Sequence, residues 1–241
     1  MVFKRHHHQH IAHLLCALDG DFLLEHQCFF GGGTLITLRY GEYRESVDVD
    51  FLVSDLACYR SLRQLVRSSG DLSALLRGDT TLFSIAQPVC ADQYGIRTAV
   101  NVAGEQVKFE IVLEGRIELD SPGPQDRLCG VPTLTRLDMA TSKLLANSDR
   151  WIDASVFSRD LIDLAMMQAP IPLLRQAVAK AERAYGSSIL KDLGKAIDRL
   201  EDQSGLLGRC MQAMSVEVPR AVLWQKVRRL RRLLVDKNDD P

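Results

Sequence analysis

The chain has no run of about twenty apolar residues, the length a helix needs to cross a bilayer, so no membrane segment and no membrane partner are expected. Its opening residues, MVFKRHHHQH, are basic but lead into no apolar stretch, so no secretory signal is expected. No two cysteines form a C-x-x-C pair: Cys16, Cys28, Cys58, Cys90, Cys129 and Cys210 are scattered. That spacing argues against a zinc ribbon or a disulfide framework and predicts reduced thiols in a cytoplasmic protein. No internal repeat or low-complexity tract is visible, and the formal net charge is only −1. What remains is ordinary globular composition, 46% hydrophobic and 25% charged over 241 residues, enough for one large domain or two small ones.

The most informative stretch is FFGGGTLITLRYGEYRESVDVDFLVSD, residues 29–55. Three glycines, Gly31 to Gly33, let the backbone approach a ligand closely, and Thr34 opens a short helix that Gly41 ends. Val47 to Val53 reads as a strand, on which Asp48 and Asp50 point the same way. Adjacent carboxylates repel unless a cation sits between them, and a hard ion such as Mg²⁺ or Mn²⁺ takes oxygen ligands while leaving positions open for phosphate. Amides of the glycine turn and of the helix start favour an anion. A phosphate cradle beside paired metal carboxylates is the minimum kit for phosphoryl or nucleotidyl transfer. The bland alternative is a glycine-rich turn before an edge strand with two solvated acids, but Asp is depleted from strands and these two lie in an apolar one.

The same run resembles the first motif of the AbiEii/AbiGii-type nucleotidyltransferase family, within the DNA polymerase β-like nucleotidyltransferase superfamily. Its pattern is Gly-Gly-(Ser/Thr), a short helix, then Arg-x-Ser-x-Asp-x-Asp, and Arg44, Ser46, Asp48 and Asp50 fill those places. A second stretch, MATSKLLANSDRWIDASVFSRDLIDLAMM, is similar to the later motif, with Lys143, Arg159, Asp160 and Asp163 matching. The resemblance covers most of residues 25–168. It implies an α+β fold: a polymerase β-like core with a small mixed sheet over 1–133, then a C-terminal helical bundle over 134–241, with the active site between. It implies NTP bound by Gly32, Gly33, Thr34, Arg44, Ser46 and Lys143, and catalysis by Asp48, Asp50, Lys143 and Asp160. Metal would be held by Asp48, Asp50 and, as a third carboxylate of the kind the superfamily often has, Glu110. Asp160 would orient Lys143 or contact the nucleotide, unless it is only a first-turn acid favoured by the helix dipole. The toxin relatives imply an RNA acceptor such as a tRNA 3′ end, and a cognate antitoxin. A small-molecule or protein acceptor, or a non-catalytic regulatory module of the same fold, stays open.

Elsewhere the pattern predicts helices over 7–18 and 56–69, the latter with Asp55 near its start. Strands are expected over 22–30, 47–54, 82–85, 95–102 and 106–112, with Gly104-Glu105 as a hairpin turn. Residues 121–126 read as a turn-rich break, and the chain reads as helical from about 133, with starts near Thr135 and Ser158 and with Pro172 and Pro219 in first turns. Residues 220–232 carry Arg220, Lys226, Arg228, Arg229, Arg231 and Arg232, followed by an acidic tail. That helix is either a footprint for RNA phosphates or a solvated face whose Val222, Leu223, Val227, Leu230 and Leu234 pack inward. His6, His7, His8 and His10 look like a metal cluster or part of a purification tag, though Gln9 interrupts the run; at helical spacing His6, His10 and His13 share a face.

Overall fold

A computed structural model describes residues 3–78 and 83–234. In chain order they form α1 (His6–Ala17), α2 (Gly20–Glu25), β1 (Phe29–Phe30), α3 (Gly32–Arg39), β2 (Asp48–Val53), α4 (Leu56–Ser69), β3 (Phe83–Ile85), β4 (Cys90–Ala91), β5 (Gly95–Val102), β6 (Glu105–Leu113), β7 (Arg127–Leu128) and β8 (Val131–Pro132). The helices α5 (Arg136–Arg150), α6 (Arg159–Met166), α7 (Ile171–Tyr185), α8 (Ser188–Asp202), α9 (Leu206–Ala213) and α10 (Arg220–Arg229) follow. The fold is α+β, with a small mixed sheet and a helical C-terminal half. No described helix is long and apolar enough to cross a membrane. The chain divides into two compact units, residues 1–38 with 46–135 and residues 39–45 with 136–241.

In the first unit the sheet runs β1-β2-β6-β5-β3, with β4 also on β5. The pair β2–β6 is parallel and the other pairs are antiparallel. Val49, Phe51 and Val53 of β2 alternate with Asp48, Asp50 and Leu52; the first set is fully buried and stacks with Phe109 and Ile111 of β6 in the core. That alternation turns both aspartates to the other face. The helix α4 forms where its apolar positions, Tyr59, Leu62 and Val66, recur at helical spacing. Its ends are set by the Asp55 side chain, which accepts from Cys58 N, and by Gly70 in the left-handed conformation.

Four expectations change here. Residues 22–30 are not one strand: the Asp19 carboxylate accepts from Asp21 N and Phe22 N, so α2 starts there and only Phe29–Phe30 is extended. The β5–β6 turn is Ala103-Gly104, both with positive φ (50° and 91°), and Glu105 is already paired with Val102. The helix after the glycines begins at Gly32, two residues earlier than Thr34. The β7–β8 hairpin lies just before the helical half, where no strand is expected from the sequence. Of the strand expected over 82–85, Leu82 lies outside the described residues, as does the acidic tail.

In the second unit α5 packs on α6, α7 and α8, and α6 packs on α10. Residues 39–45 belong here because their backbone is tied to it: Glu45 N donates to Met214 O at 3.0 Å, and Glu217 N to Tyr43 O at 3.0 Å. In α10 and the turn after it, Leu223, Val227, Leu230 and Leu233 are buried. Val222, expected inside, is 40% exposed. Leu233 takes the inward place because the chain tightens into a 3₁₀ turn over Leu230–Leu233, which shifts the buried stripe.

Candidate active site

The sheet unit brings the glycine turn onto the aspartates. Gly31 N donates to Asp50 O at 2.8 Å, which draws the turn against β2. Gly32 has φ +66°, and a Cβ at this position would collide with Asp50 Oδ2. So Gly32 is required twice over, for its backbone angle and for the space the Asp50 carboxylate fills. Thr34 is 1% exposed; its hydroxyl donates to Asp48 O at 2.5 Å and lies 2.8 Å from Ser46 Oγ. With its one hydroxyl proton on Asp48 O, what Thr34 can offer a phosphate is its backbone N–H, one of the first-turn amides without a helical partner. Ser46 N in turn donates to His8 Nε2 at 3.3 Å.

Asp48 and Asp50 are half-buried on the same face of β2. The parallel register sets Glu110 beside Asp50 and Lys108 beside Asp48. The structure thus brings Asp50 and Glu110 side by side on neighbouring strands. The Glu110 carboxylate is occupied by cations, Lys108 Nζ at 3.0 Å and Arg97 Nε at 3.8 Å. Hard, partly exposed oxygen donors on one strand face fit Mg²⁺ or Mn²⁺ in kind.

The helical unit holds the other predicted residues in one buried ion network. The Arg44 guanidinium grips Asp163 with a fork, Nε to Oδ1 at 2.7 Å and Nη2 to Oδ2 at 2.9 Å. Tyr43 donates to the same Oδ1 at 2.5 Å. Lys143 Nζ lies 2.9 Å from Asp160 Oδ1 and 2.8 Å from Asp163 Oδ2. Arg150 completes the set with Nε to Asp160 Oδ2 at 2.7 Å and Nη2 to Oδ1 at 3.0 Å. Burial alone would push both carboxyls up and the Lys143 ammonium down. The opposite charges win: Lys143 and Arg150 hold Asp160, and Arg44 and Lys143 hold Asp163, well below the usual carboxylate range. Asp160 and Asp163 in turn raise Lys143. Three cations on two carboxylates leave the cluster with one excess positive charge.

Asp163 matches the second motif without an expected role, sequence reasoning does not single out Tyr43 or Arg150, and it reads His8 only as one of the clustered histidines. A signal exists for two of these four. Lys143 and Arg150 sit two turns apart on α5, and Asp160 and Asp163 lie one turn apart on α6, so a cationic and an acidic stripe are both readable. Also unforeseen is a basic face on α4, where Arg60, Arg63 and Arg67 line an open cleft. On α10, Arg228 is exposed, as is Arg232 just beyond it. Arg231 is held by Asp198 and Glu201, and Arg229 Nη2 donates to Ala169 O at 3.3 Å.

Among solved structures, JHP933 from Helicobacter pylori aligns with a TM-score of 0.51 and 17% identity over 97% of this chain and 95% of that one. The nucleotidyltransferase toxin MenT4 from Mycobacterium tuberculosis H37Rv aligns with a TM-score of 0.48 and 18% identity over 96% and 84%. At such identity the first of these speaks to the fold alone. No curated protein matches the chain. A family model described as nucleotidyl transferase AbiEii toxin of type IV toxin–antitoxin systems matches residues 13–238, through both units, and the chain belongs to this family of nucleotidyltransferase toxins.

Proposed function

We propose that the protein transfers a nucleoside monophosphate from an NTP to an RNA 3′ hydroxyl, that of a tRNA, with a divalent ion, as the toxin partner of a cognate antitoxin in the cytoplasm. The observation that carries this reading is the seating of the Asp50 carboxylate against the Gly32 turn, with Asp48 on the same strand face. Anion-binding amides and metal-binding oxygens then lie side by side, as triphosphate chemistry requires.

Asp48 and Asp50 would hold Mg²⁺ or Mn²⁺, which when bound neutralises phosphate charge and aligns the reacting oxygens. Gly32, Gly33 and Thr34 present backbone N–H groups to phosphate oxygens, while Thr34 and Ser46 fix the start of β2. Glu110 joins as a third oxygen donor or takes the proton of the acceptor hydroxyl. To do so it exchanges Lys108, whose side chain is 55% exposed and weakly held. In the second unit Lys143 and Arg44 stay the proposed nucleotide-binding cations, with Asp160 and Asp163 orienting them. The acceptor oxygen attacks the α-phosphorus, and pyrophosphate leaves with its charge met by the first-turn amides.

The test is incubation of the full chain with each α-labelled NTP, Mg²⁺ and total RNA. Label on RNA of tRNA size is the expected result. Label on protein or on a small molecule would replace the acceptor. No transfer with any NTP, with Mg²⁺ or Mn²⁺, would remove the catalytic reading.

A further inference from the structure

The N-terminal histidines are not a loose tail. They lie on α1, which packs on β5 and β6 of the sheet unit, and three of them meet one carboxylate at the start of β6. His6 Nδ1 is 3.2 Å from Glu105 Oε1; His7 Nδ1 and His10 Nδ1 are each 3.1 Å from Oε2. The rings of His6 and His10, one turn apart, meet edge to face with centroids 4.3 Å apart. One ligand atom from each of His6, His10 and Glu105 lies within 4.8 Å of the other two.

Simple hydrogen bonding accounts poorly for this arrangement. A neutral imidazole carries one N–H. His7 faces an acceptor at each end: Val47 O is 3.2 Å from Nε2, and Glu105 Oε2 is 3.1 Å from Nδ1. If the N–H is on Nε2, the Nδ1 lone pair confronts a carboxylate. A divalent ion seated among these atoms would accept the Nδ1 lone pairs and the carboxylate oxygen together, so that no lone pairs face each other. Tetrahedral bonds of about 2.0–2.1 Å place ligand atoms roughly 3.3 Å apart, close to the nitrogen–oxygen separations here.

We propose that His6, His10 and Glu105, with His7 as an adjacent fourth nitrogen, bind a first-row divalent ion of the zinc type and thereby clamp α1 to the start of β6. Imidazole nitrogen favours such an ion over Mg²⁺, so this site and the Asp48–Asp50 carboxylates select different metals. Access is open, since the His6 side chain is 72% exposed while that of His10 is 7% exposed. The clamp reaches past itself: His7 Nε2 meets Val47 O, and His8 Nε2 accepts from Ser46 N, the two residues that lead into Asp48. Its role is to steady the entry to the metal-carboxylate strand, and it holds whether or not the transfer reaction does.

The experiment uses the full chain with any affinity tag removed. Co²⁺ is titrated to read its tetrahedral absorption, and Zn²⁺ is competed against a chromogenic chelator. One equivalent is expected in the wild type. Glu105→Gln and the surface variant His6→Asn should each weaken Zn²⁺ binding by at least about tenfold, the low end for losing even an outer partner of a metal site. Asp50→Asn should leave the Co²⁺ spectrum unchanged. Melting curves confirm that each variant is folded, and His6→Asn alone decides the matter if Glu105→Gln is not. Loss of the signal in Asp50→Asn, equal affinity in the wild type and His6→Asn, or no tetrahedral Co²⁺ band in the wild type would each overturn the proposal.

Discussion

At the scale of single residues, the chain places charge where hydrophobic burial alone would forbid it. Asp48 and Asp50 share one face of β2, so neutralising either relieves repulsion. Asp48→Asn and Asp50→Asn should each abolish transfer while melting at or above the wild-type temperature; full activity in either would sink the metal assignment. Gly32→Ala should fail differently, by unfolding the turn, since the added Cβ meets Asp50 Oδ2 at a φ of +66°. The buried network makes a third expectation. Asp163 has no exposed side-chain surface and serves Tyr43, Arg44 and Lys143, so Asp163→Asn should cost about 3–5 kcal/mol in urea unfolding. The pH sign follows from the shifts. Asp160 and Asp163 are depressed below 3.8, so their stabilisation is present above that value and is lost as pH falls through their folded values. Lys143 is raised above 10.5, so its share is present below that value and is lost as pH rises through its folded value. Wild-type stability should therefore have an acid limb that Asp163→Asn flattens. An identical acid limb in both would show that the network does not titrate with unfolding.

At the scale of elements, what the sequence reveals tracks whether an element carries its own signal. The helix α4 is legible because an apolar stripe, the Asp55 cap and Gly70 agree. The strands β2, β5 and β6 are legible through their β-branched, alternating runs. Residues 22–30 mislead because Phe22, Leu23, Cys28, Phe29 and Phe30 are apolar enough for a strand, and only the Asp19 cap breaks them into α2 and β1. The strands β7 and β8 are two residues each, too short to show a period. The motif residues are legible, but their partnerships are not: spacing shows that Arg44 and Asp163 exist, whereas their fork depends on tertiary packing. The basic helix is a case where the structure sharpens an expectation. On α10 and its following turn, Arg231 is matched by Asp198 and Glu201, leaving Arg220, Arg228 and Arg232 as the exposed charges. The α4 face offers Arg60, Arg63 and Arg67. If RNA is the acceptor, neutralising a pair or trio that binds its phosphates should raise its Michaelis constant. It should also flatten the log–log salt dependence by roughly 0.7–0.9 for each phosphate no longer neutralised, with NTP binding unchanged. A slope change for the α4 trio alone would assign the acceptor footprint there and leave α10 as a solvated face; no change for either would point to a small acceptor.

At the scale of the whole molecule, the family match runs from residue 13 to residue 238 and so takes in α7 to α10, where the sequence shows no motif. Those helices build the bed for the ion network: α5 packs on α7 and α8, and α6 on α10. A chain that is a toxin through catalysis differs from one that is toxic through misfolding, and the difference is testable in cells. Induced expression of the wild type should arrest growth, and tRNA from arrested cells should carry added nucleotides at its 3′ end. Asp48→Ala removes one of the carboxylates proposed to hold metal from a half-buried strand face without opening the core, so the variant should accumulate to the wild-type level, leave growth unaffected and leave tRNA ends unmodified. The Asp163→Asn variant should also relieve arrest, but with lowered protein level, because its defect is in folding. Arrest by Asp48→Ala at equal protein level would mean that toxicity does not pass through nucleotidyl transfer. Arrest by the wild type with unmodified tRNA would keep the enzyme and move its acceptor elsewhere.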